Sequence, residues 1–295
     1  MAHTQHLFPI RQVRFENKTV PESSFDMISL EELIRRETRD ELGTIHRVDF
    51  YILLLITEGK GHHRIDFTDY PYEKGSLITV RKDQIQRFSL GGAKGYLMFF
   101  KEDFIVSYLE KQESLKTIQL FNEMLGRPII HLGSQDYTEV LQVVQYMKQE
   151  YFQVGDTYSL GILRSLLHIL ITKLYRAKSE RETNLSDRKY LAEFVRFQEL
   201  VETHSLSSRK VQDYADQMGV TPKTLNNIVR SIVNKSAKTF IDEIVILQIK
   251  RMLVNSSLSV KEIAYSTGFE EPTNLYKYFK KYTLTSPEMF RKSHS

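Results

Sequence analysis

Val211, Ala215 and Gly219 recur as Val260, Ala264 and Gly268, each pair 49 residues apart, and Leu225 recurs as Leu275 one residue further on. A unit of that length present twice is too short for a solenoid. Each copy reads as a helix, a tight turn and a second helix. In the first copy Ser207 or Ser208 is placed to cap a helix whose apolar positions are Val211, Tyr214, Ala215 and Met218. In the second, Ser259-Val260-Lys261-Glu262 has the form of a capping box, ahead of a stripe of Val260, Ile263 and Ala264. Gly219 and Gly268 fall where the chain leaves a helix with positive φ. Thr221-Pro222 and Glu271-Pro272 open the next helix, and proline suits its first position. Small alanine at the crossing lets two helices approach closely, which is the helix-turn-helix pattern. Ala237–Leu253 is long enough to join the copies by one helix.

The charge distribution fits a polyanion partner for this part of the chain. Residues 183–295 carry 17 Lys and Arg against 12 Asp and Glu, a net of +5, which leaves −1 on the first 182. Composition narrows the remaining classes. Hydrophobic residues at 41% and charged residues at 26% are ordinary for a globular chain and exclude a fully disordered one. With no cysteine there is no disulfide, thiolate nucleophile or cysteine-based metal site. The richest apolar stretch, Phe50–Ile56, is too short to span a bilayer. Met1–Ile10 lacks the pattern of a secretory signal, so a cytoplasmic protein without a membrane partner is expected.

Ahead of the repeat, residues 44–100 read as short strands. Asp49–Thr57 ends at the turn Glu58–Gly61, His62–Phe67 alternates, and Tyr70-Pro71 breaks the pattern. Ser76–Val80, Ile85–Leu90 and Tyr96–Phe100 follow, with Gly91-Gly92 as a turn. This predicts a small antiparallel barrel or sandwich, preceded by a helix over Ser29–Arg39. Asp136–Phe152 and Thr157–Arg176 read as helices. In the second, Leu163, Leu167, Leu170 and Leu174 fall at spacings of 4, 3 and 4. Such a stripe either packs on the barrel or forms a dimer seam. Residues 178–189 are polar and read as a linker.

Residues 205–292 resemble the double helix-turn-helix domain of AraC-type transcription regulators. The resemblance rests on Val211–Gly219, Ser259–Ala264, Gly268-Phe269, Leu275–Lys281 and Ser286–Arg291. The stretches around Asp49-Phe50, Gly59–Gly61, Ile65–Phe67 and Gly95–Phe104 resemble the cupin-like sensor barrel found ahead of it in many members. The chain departs from the family at Val245, where an arginine is usual. The resemblance implies an α+β fold: a cupin-like β-barrel with a helical dimerisation segment, then an all-α double helix-turn-helix domain. The expected boundaries are a sensing and dimerisation domain over 1–178, a linker over 179–190 and a DNA-binding domain over 191–295. The implied partners are double-stranded DNA, RNA polymerase, a small-molecule effector and a second copy of the chain, with transcription regulation as the role, as activator or repressor.

A recognition helix reads base edges through exposed side chains near its N-terminal end. In the first copy that face carries Lys223, Asn226, Asn227 and Arg230, and the family pattern puts Lys223, Asn226 and Asn227 at base-reading positions. Asparagine pairs with adenine and lysine or arginine with guanine. In the second copy Thr273, Asn274 and Lys277 correspond, with Lys280 and Lys281 further along and suited to phosphates. Two such helices on one protomer should enter successive major grooves, about 34 Å apart.

In the barrel, His46, Tyr51, Arg64, Arg81 and Gln86 are polar residues on or near strands and are the expected effector-pocket residues. His46 reads first as an ordinary strand-end residue and second as a pocket residue. A pocket of this composition suits a sugar or a small anion. No metal is expected, because His62 and His63 are adjacent and point to opposite faces of a strand, and no histidine stands at Ile85–Arg87. There is no phosphate-binding glycine loop and no G-x-S-x-G elbow. No cofactor or enzymatic activity is therefore expected. The competing readings are a cupin-type enzyme with a helical appendage and a regulator whose barrel only dimerises.

Overall fold

A computed structural model describes residues 11–17, 19–21, 23–36, 44–82, 84–89, 92–101, 103–106, 127–154, 156–181, 190–206 and 208–294. The chain divides into two compact units, Arg11–Asn184 and Leu185–Ser295. The expected linker falls largely on 182–189, outside the described residues, as do Gly91, Leu90, Ser207, the end of the Ser29–Arg39 helix and Met1–Ile10.

In the first unit the strands are β1 (Arg11–Val13), β2 (Phe25–Ser29), β3 (His46–Val48), β4 (Tyr51–Glu58), β5 (Lys60–Ile65), β6 (Thr68–Glu73), β7 (Ser76–Val80), β8 (Ile85–Ser89), β9 (Lys94–Phe100) and β10 (Ile129–His131). The helices are α1 (Leu30–Arg36), α2 (Asp103–Val106), α3 (Ser134–Gln149), closed by a π-helical turn over Glu150–Val154, and α4 (Ser159–Arg181). The described strands form two five-stranded sheets in the orders β1-β3-β8-β5-β6 and β10-β7-β4-β9-β2. All pairings are antiparallel except β1 with β3.

Strand β4 explains why Ile52–Ile56 is an unbroken apolar run. Ile52, Leu54 and Ile56 face the other sheet, among Ile65, Ile78, Phe88 and Leu97. Leu53 and Leu55 face the helices, among Met27, Leu77, Met98 and Phe100. A strand buried on both faces has no polar side to present. Pro71 does not end the sheet. It lies in β6, an edge strand, where a missing N–H costs no ladder bond. The predicted strand over His62–Phe67 is two residues too long. Asp66 and Phe67 turn with φ of 42° and 71°. The Asp66 carboxylate holds that turn by accepting from the Gln84 amide at 3.0 Å and the Ile85 N–H at 3.3 Å.

The leucine stripe resolves to packing, which corrects the expectation of a dimer seam. Leu163, Leu167, Leu170 and Leu174 are all at most 1% exposed and sit in the core between α4 and the β10-β7-β4-β9-β2 sheet. A period near 3.5 serves a sheet-covering helix as well as a coiled coil, and burying each leucine here is worth about 1.5–3 kcal/mol. The outward face of α4 instead carries Ile162 and Ile169, each 43% exposed.

The second unit is helical: α5 (Leu191–His204), α6 (Val211–Met218), α7 (Pro222–Val233), α8 (Ala237–Asn255), α9 (Val260–Ser266), α10 (Pro272–Thr283) and α11 (Pro287–His294). Its core gathers Phe194, Phe197, Tyr214, Leu225, Phe240, Ile249, Leu275 and Phe279, all buried. Phe194 and Phe197 of α5 meet Phe240 with ring centroids 5.2 and 5.5 Å apart. Val245, the departure from the family pattern, is fully buried on α8.

The two turn glycines carry different burdens. Gly219 has φ of 69° with nothing within 4 Å of where a Cβ would stand. Gly268 has φ of 72°, and a Cβ there would lie 2.6 Å from the Leu206 carbonyl oxygen. Gly219→Ala is expected to cost about 1–2 kcal/mol, the left-handed penalty alone. Gly268→Ala should cost clearly more, because backbone has to move as well. Urea midpoints of the two variants check this; equal losses would remove the close approach as a cause.

Candidate nucleic-acid interface and effector cavity

The two copies of the repeat fold the same way down to single hydrogen bonds. After α6 the Val220 N–H donates to the Ala215 carbonyl at 3.0 Å; after α9 the Phe269 N–H donates to Ala264 at 2.9 Å. Thr221 caps α7 by accepting from the Thr224 N–H at 3.1 Å. Ser259 and Glu262 form the predicted capping box of α9. Those hydrogen bonds from Ser259 hold the Glu262 carboxyl below its usual range. Ser208 is not the cap of α6. Lys210 precedes the helix without a side-chain cap, and the Ser208 hydroxyl donates to the Asp213 carboxylate.

The repeat also extends beyond the second helix of each copy. At an offset of 50 residues, Asn234 and Leu284 both end a recognition helix with left-handed backbone, at φ of 55° and 61°. Ser236 and Ser286 each accept the N–H three residues on, from Thr239 at 3.0 Å and Met289 at 3.2 Å. Phe240 and Phe290 are both buried. Each copy is therefore three helices, α6-α7-α8 and α9-α10-α11. The signal was present in Ser236-Ala-Lys-Thr-Phe240 against Ser286-Pro-Glu-Met-Phe290.

On α7, Leu225, Ile228, Val229 and Ile232 are buried, which leaves Lys223, Asn227 and Arg230 exposed. On α10, Leu275 and Phe279 are buried, and Thr273, Asn274, Lys277, Lys280 and Lys281 are exposed. Asn226 departs from the expected reading face. Its amide nitrogen donates to the Pro222 carbonyl at 3.0 Å, and its oxygen accepts the Ala237 N–H at 3.0 Å. It fastens the start of α8 to α7. Its repeat counterpart Tyr276 does the same for α11, donating to the Glu288 carboxylate.

The copies are joined by a polar cluster. Asp242 on α8, 4% exposed, accepts from Tyr278 at 2.9 Å, Tyr282 at 2.6 Å and Lys238 at 2.7 Å. Burial and then the Asp242 contact push the Tyr282 hydroxyl up to about 12, and Tyr278 is raised by burial and the Asp242 charge. Arg209, just ahead of α6, lies 3.8 Å over the Phe269 ring and donates to the Gly268 carbonyl at 2.8 Å.

In the first unit a cavity of about 170 Å³ opens between the sheets. Of the expected pocket residues, His46 and Gln86 line it, brought side by side by the β3–β8 register. The other three are corrected. Tyr51 stacks on Phe100 at 5.6 Å, among the residues packed toward the helices. Arg64 is tied to Asp69 at 2.8 Å on the far face of β5. Arg81 is not among the lining residues. The walls are instead Val13, Phe15, Val48, Phe50, Ile52, Phe88, Leu97 and Phe99. These side chains are apolar and carry no polar signal, although the inward alternation of β3 and β8 marks Val48 and Phe88. His62 and His63 do point to opposite faces, and His63 is fully buried.

Two helix-turn-helix units in one compact body, in a chain with a cavity-bearing β-sandwich, define a DNA-binding regulator with a ligand-binding domain. Residues 30–195 match the model of the AraC-like ligand binding domain, and residues 214–293 match that of a helix-turn-helix domain. The chain belongs to the family of AraC-type transcription regulators. It is similar to the Msm operon regulatory protein of Streptococcus mutans, 27% identical over 83% of this chain and 84% of that one. The HTH-type transcriptional regulator YfiF of Bacillus subtilis is 20% identical over 76% of this chain and 71% of its own. Among solved structures, fatty-acid-bound ToxT from Vibrio cholerae covers 91% of both chains at 16% identity and a TM-score of 0.43.

Asn226→Ala is expected to destabilise the second unit by about 1–2 kcal/mol through the lost α8 fastening, with base preference kept. Asn227→Ala should do the reverse. Thermal melts together with sequence selection on each variant check the pair.

Proposed function

We propose that this regulator reads DNA through Lys223, Asn227 and Arg230 of α7 and through Thr273, Asn274 and Lys277 of α10. Lys280 and Lys281 meet phosphates. The observation that carries this reading is the exposure of these side chains at the N-terminal and outward positions of two equivalent helices. The domains run over 1–178 and 191–295, with 179–190 as the linker, whose first residues continue α4 to Arg181. The protein acts in the cytoplasm without catalysis, as a transcription regulator that contacts RNA polymerase. A small effector in the sandwich cavity biases the arrangement of its DNA-binding domains by population shift.

Selection of bound sequences from a random duplex pool at about 150 mM salt tests the reading. The expected motif has two elements about 10 base pairs apart without internal symmetry. Lys277→Ala should relax one position at a cost of roughly 1–3 kcal/mol, and Lys281→Ala should weaken all sequences alike and flatten the salt slope by about 1. A single short motif would leave one helix without a reading role.

The same reading includes a homodimer that uses the outward face of α4, with Ile162 and Ile169, because the leucine stripe is occupied by the core. Ile169→Asp should give a monomer that melts like the parent, whereas Leu167→Asp should unfold the first unit. Light scattering and circular dichroism separate the two. An unchanged dimeric mass for Ile169→Asp would place the interface elsewhere.

A further inference from the structure

The chemistry of the cavity names a ligand class, and this inference rests on the effector-cavity reading above. Four aromatic rings line the space: Phe15, Phe50, Phe88 and Phe99. Phe50 stands edge-on to both Phe15 and Phe99, at 5.7 and 5.5 Å between centroids. Such walls favour a planar ring over a hydroxyl-studded one, since each ring pair adds about 0.5–1.5 kcal/mol beyond area burial and each sugar hydroxyl would need a partner. The volume of about 170 Å³ suits a single ring. An apolar cavity of about 150 Å³ accommodates benzene.

One polar group inside is unsatisfied and oriented. Gln86 is 4% exposed, and its side-chain oxygen lies 3.1 Å from His63 Nε2. His63 is fully buried with its ring 4.2 Å from Phe88, and burial lowers its pKa to about 4. It is therefore neutral at working pH. Nδ1 has no partner, so the single ring proton on Nε2 donates to the Gln86 oxygen. That bond turns the Gln86 amide nitrogen away from His63, and among the described residues this nitrogen has no acceptor. It is a donor open to a mostly apolar cavity, beside His46. The charged residues around the space are Arg11, Arg14, Glu16 and Asp26, two of each sign, so neither an anion nor a cation is favoured.

We propose that the cavity binds a small uncharged aromatic compound carrying one neutral hydrogen-bond acceptor. The acceptor sits on the Gln86 amide and the ring among Phe15, Phe50, Phe88 and Phe99. His63 is a positioning residue that fixes the Gln86 orientation. This differs from the sugar or small anion that polar residues alone suggest.

The test is calorimetric titration of the full-length protein with acetophenone, toluene, benzoate and D-glucose. Acetophenone should bind, with toluene roughly 3- to 10-fold weaker for want of the acceptor, and with benzoate and glucose weaker still. Gln86→Leu should bring acetophenone and toluene to equal affinity. His63→Leu should narrow the same ratio, a change that loss of packing alone would not produce. Phe50→Trp, which fills the space, should abolish binding of both, with circular dichroism confirming that each variant is folded. Tighter binding of benzoate or glucose that Phe50→Trp removes would overturn the ligand class and leave the effector cavity standing. No binding of any probe, or an acetophenone-to-toluene ratio unmoved by Gln86→Leu, would overturn the proposal. Binding as expected, but with DNA affinity unchanged by saturating acetophenone, would keep the ligand class and remove the effector reading.

Discussion

The DNA-binding unit depends on one buried carboxylate. Asp242 stands on α8, the helix that closes the first repeat, and takes hydrogen bonds from Tyr278 and Tyr282 on α10, the recognition helix of the second. Lys238 brings the compensating charge and also donates to the Arg209 carbonyl at 3.2 Å. A buried charge with this many donors is specific in direction. A slide or rotation of one repeat against the other would leave it unpaired, at a cost of several kcal/mol. Arg209 repeats the argument from the other side, stacked on Phe269 and bonded to the turn at Gly268. Apolar packing alone tolerates small slips. These directed contacts hold the second recognition helix to the scaffold of the first.

The sensor unit solves a different problem. Its β4 strand is shared between two cores, one against the helices and one against the second sheet. The cavity sits in the second core, where His46, Gln86 and His63 share the inner face with phenylalanines. A polar group in that layer is costly unless it is satisfied. His63 satisfies one side of the Gln86 amide and leaves the other for an incoming acceptor.

The double helix-turn-helix was legible because its punctuation is local. Glycine at a left-handed turn, proline at a first helical position and a Ser-x-x-Glu box each act within four residues, so spacing alone reveals them. The cavity was only half legible. Polarity singles out Tyr51 and Arg64, whereas the fold sorts residues by the face they occupy, and both point away. The leucine stripe on α4 was ambiguous for a physical reason, since the same periodicity satisfies a sheet and a second helix. Asn226 and Asn227 are neighbours of one type. Only the placement of α8 decides which of them is consumed by the scaffold, and that is tertiary information.

The extended repeat accounts for that division of labour. Positions that fasten one helix to the next perform the same task in both copies with different chemistry: an asparagine amide at 226 and a tyrosine hydroxyl at 276, an asparagine and a leucine in the left-handed position. Asn234 adopts that backbone readily. Leu284 adopts it while 88% exposed, with no packing of its own to favour it, so the register of the repeat imposes the conformation. The outward positions are under no such shared constraint. One helix presents Lys223, Asn227 and Arg230, and the other Thr273, Asn274 and Lys277. Two frames of the same shape carrying different reading faces make a protomer matched to an asymmetric site, because symmetry in the scaffold here imposes none on the bases it meets.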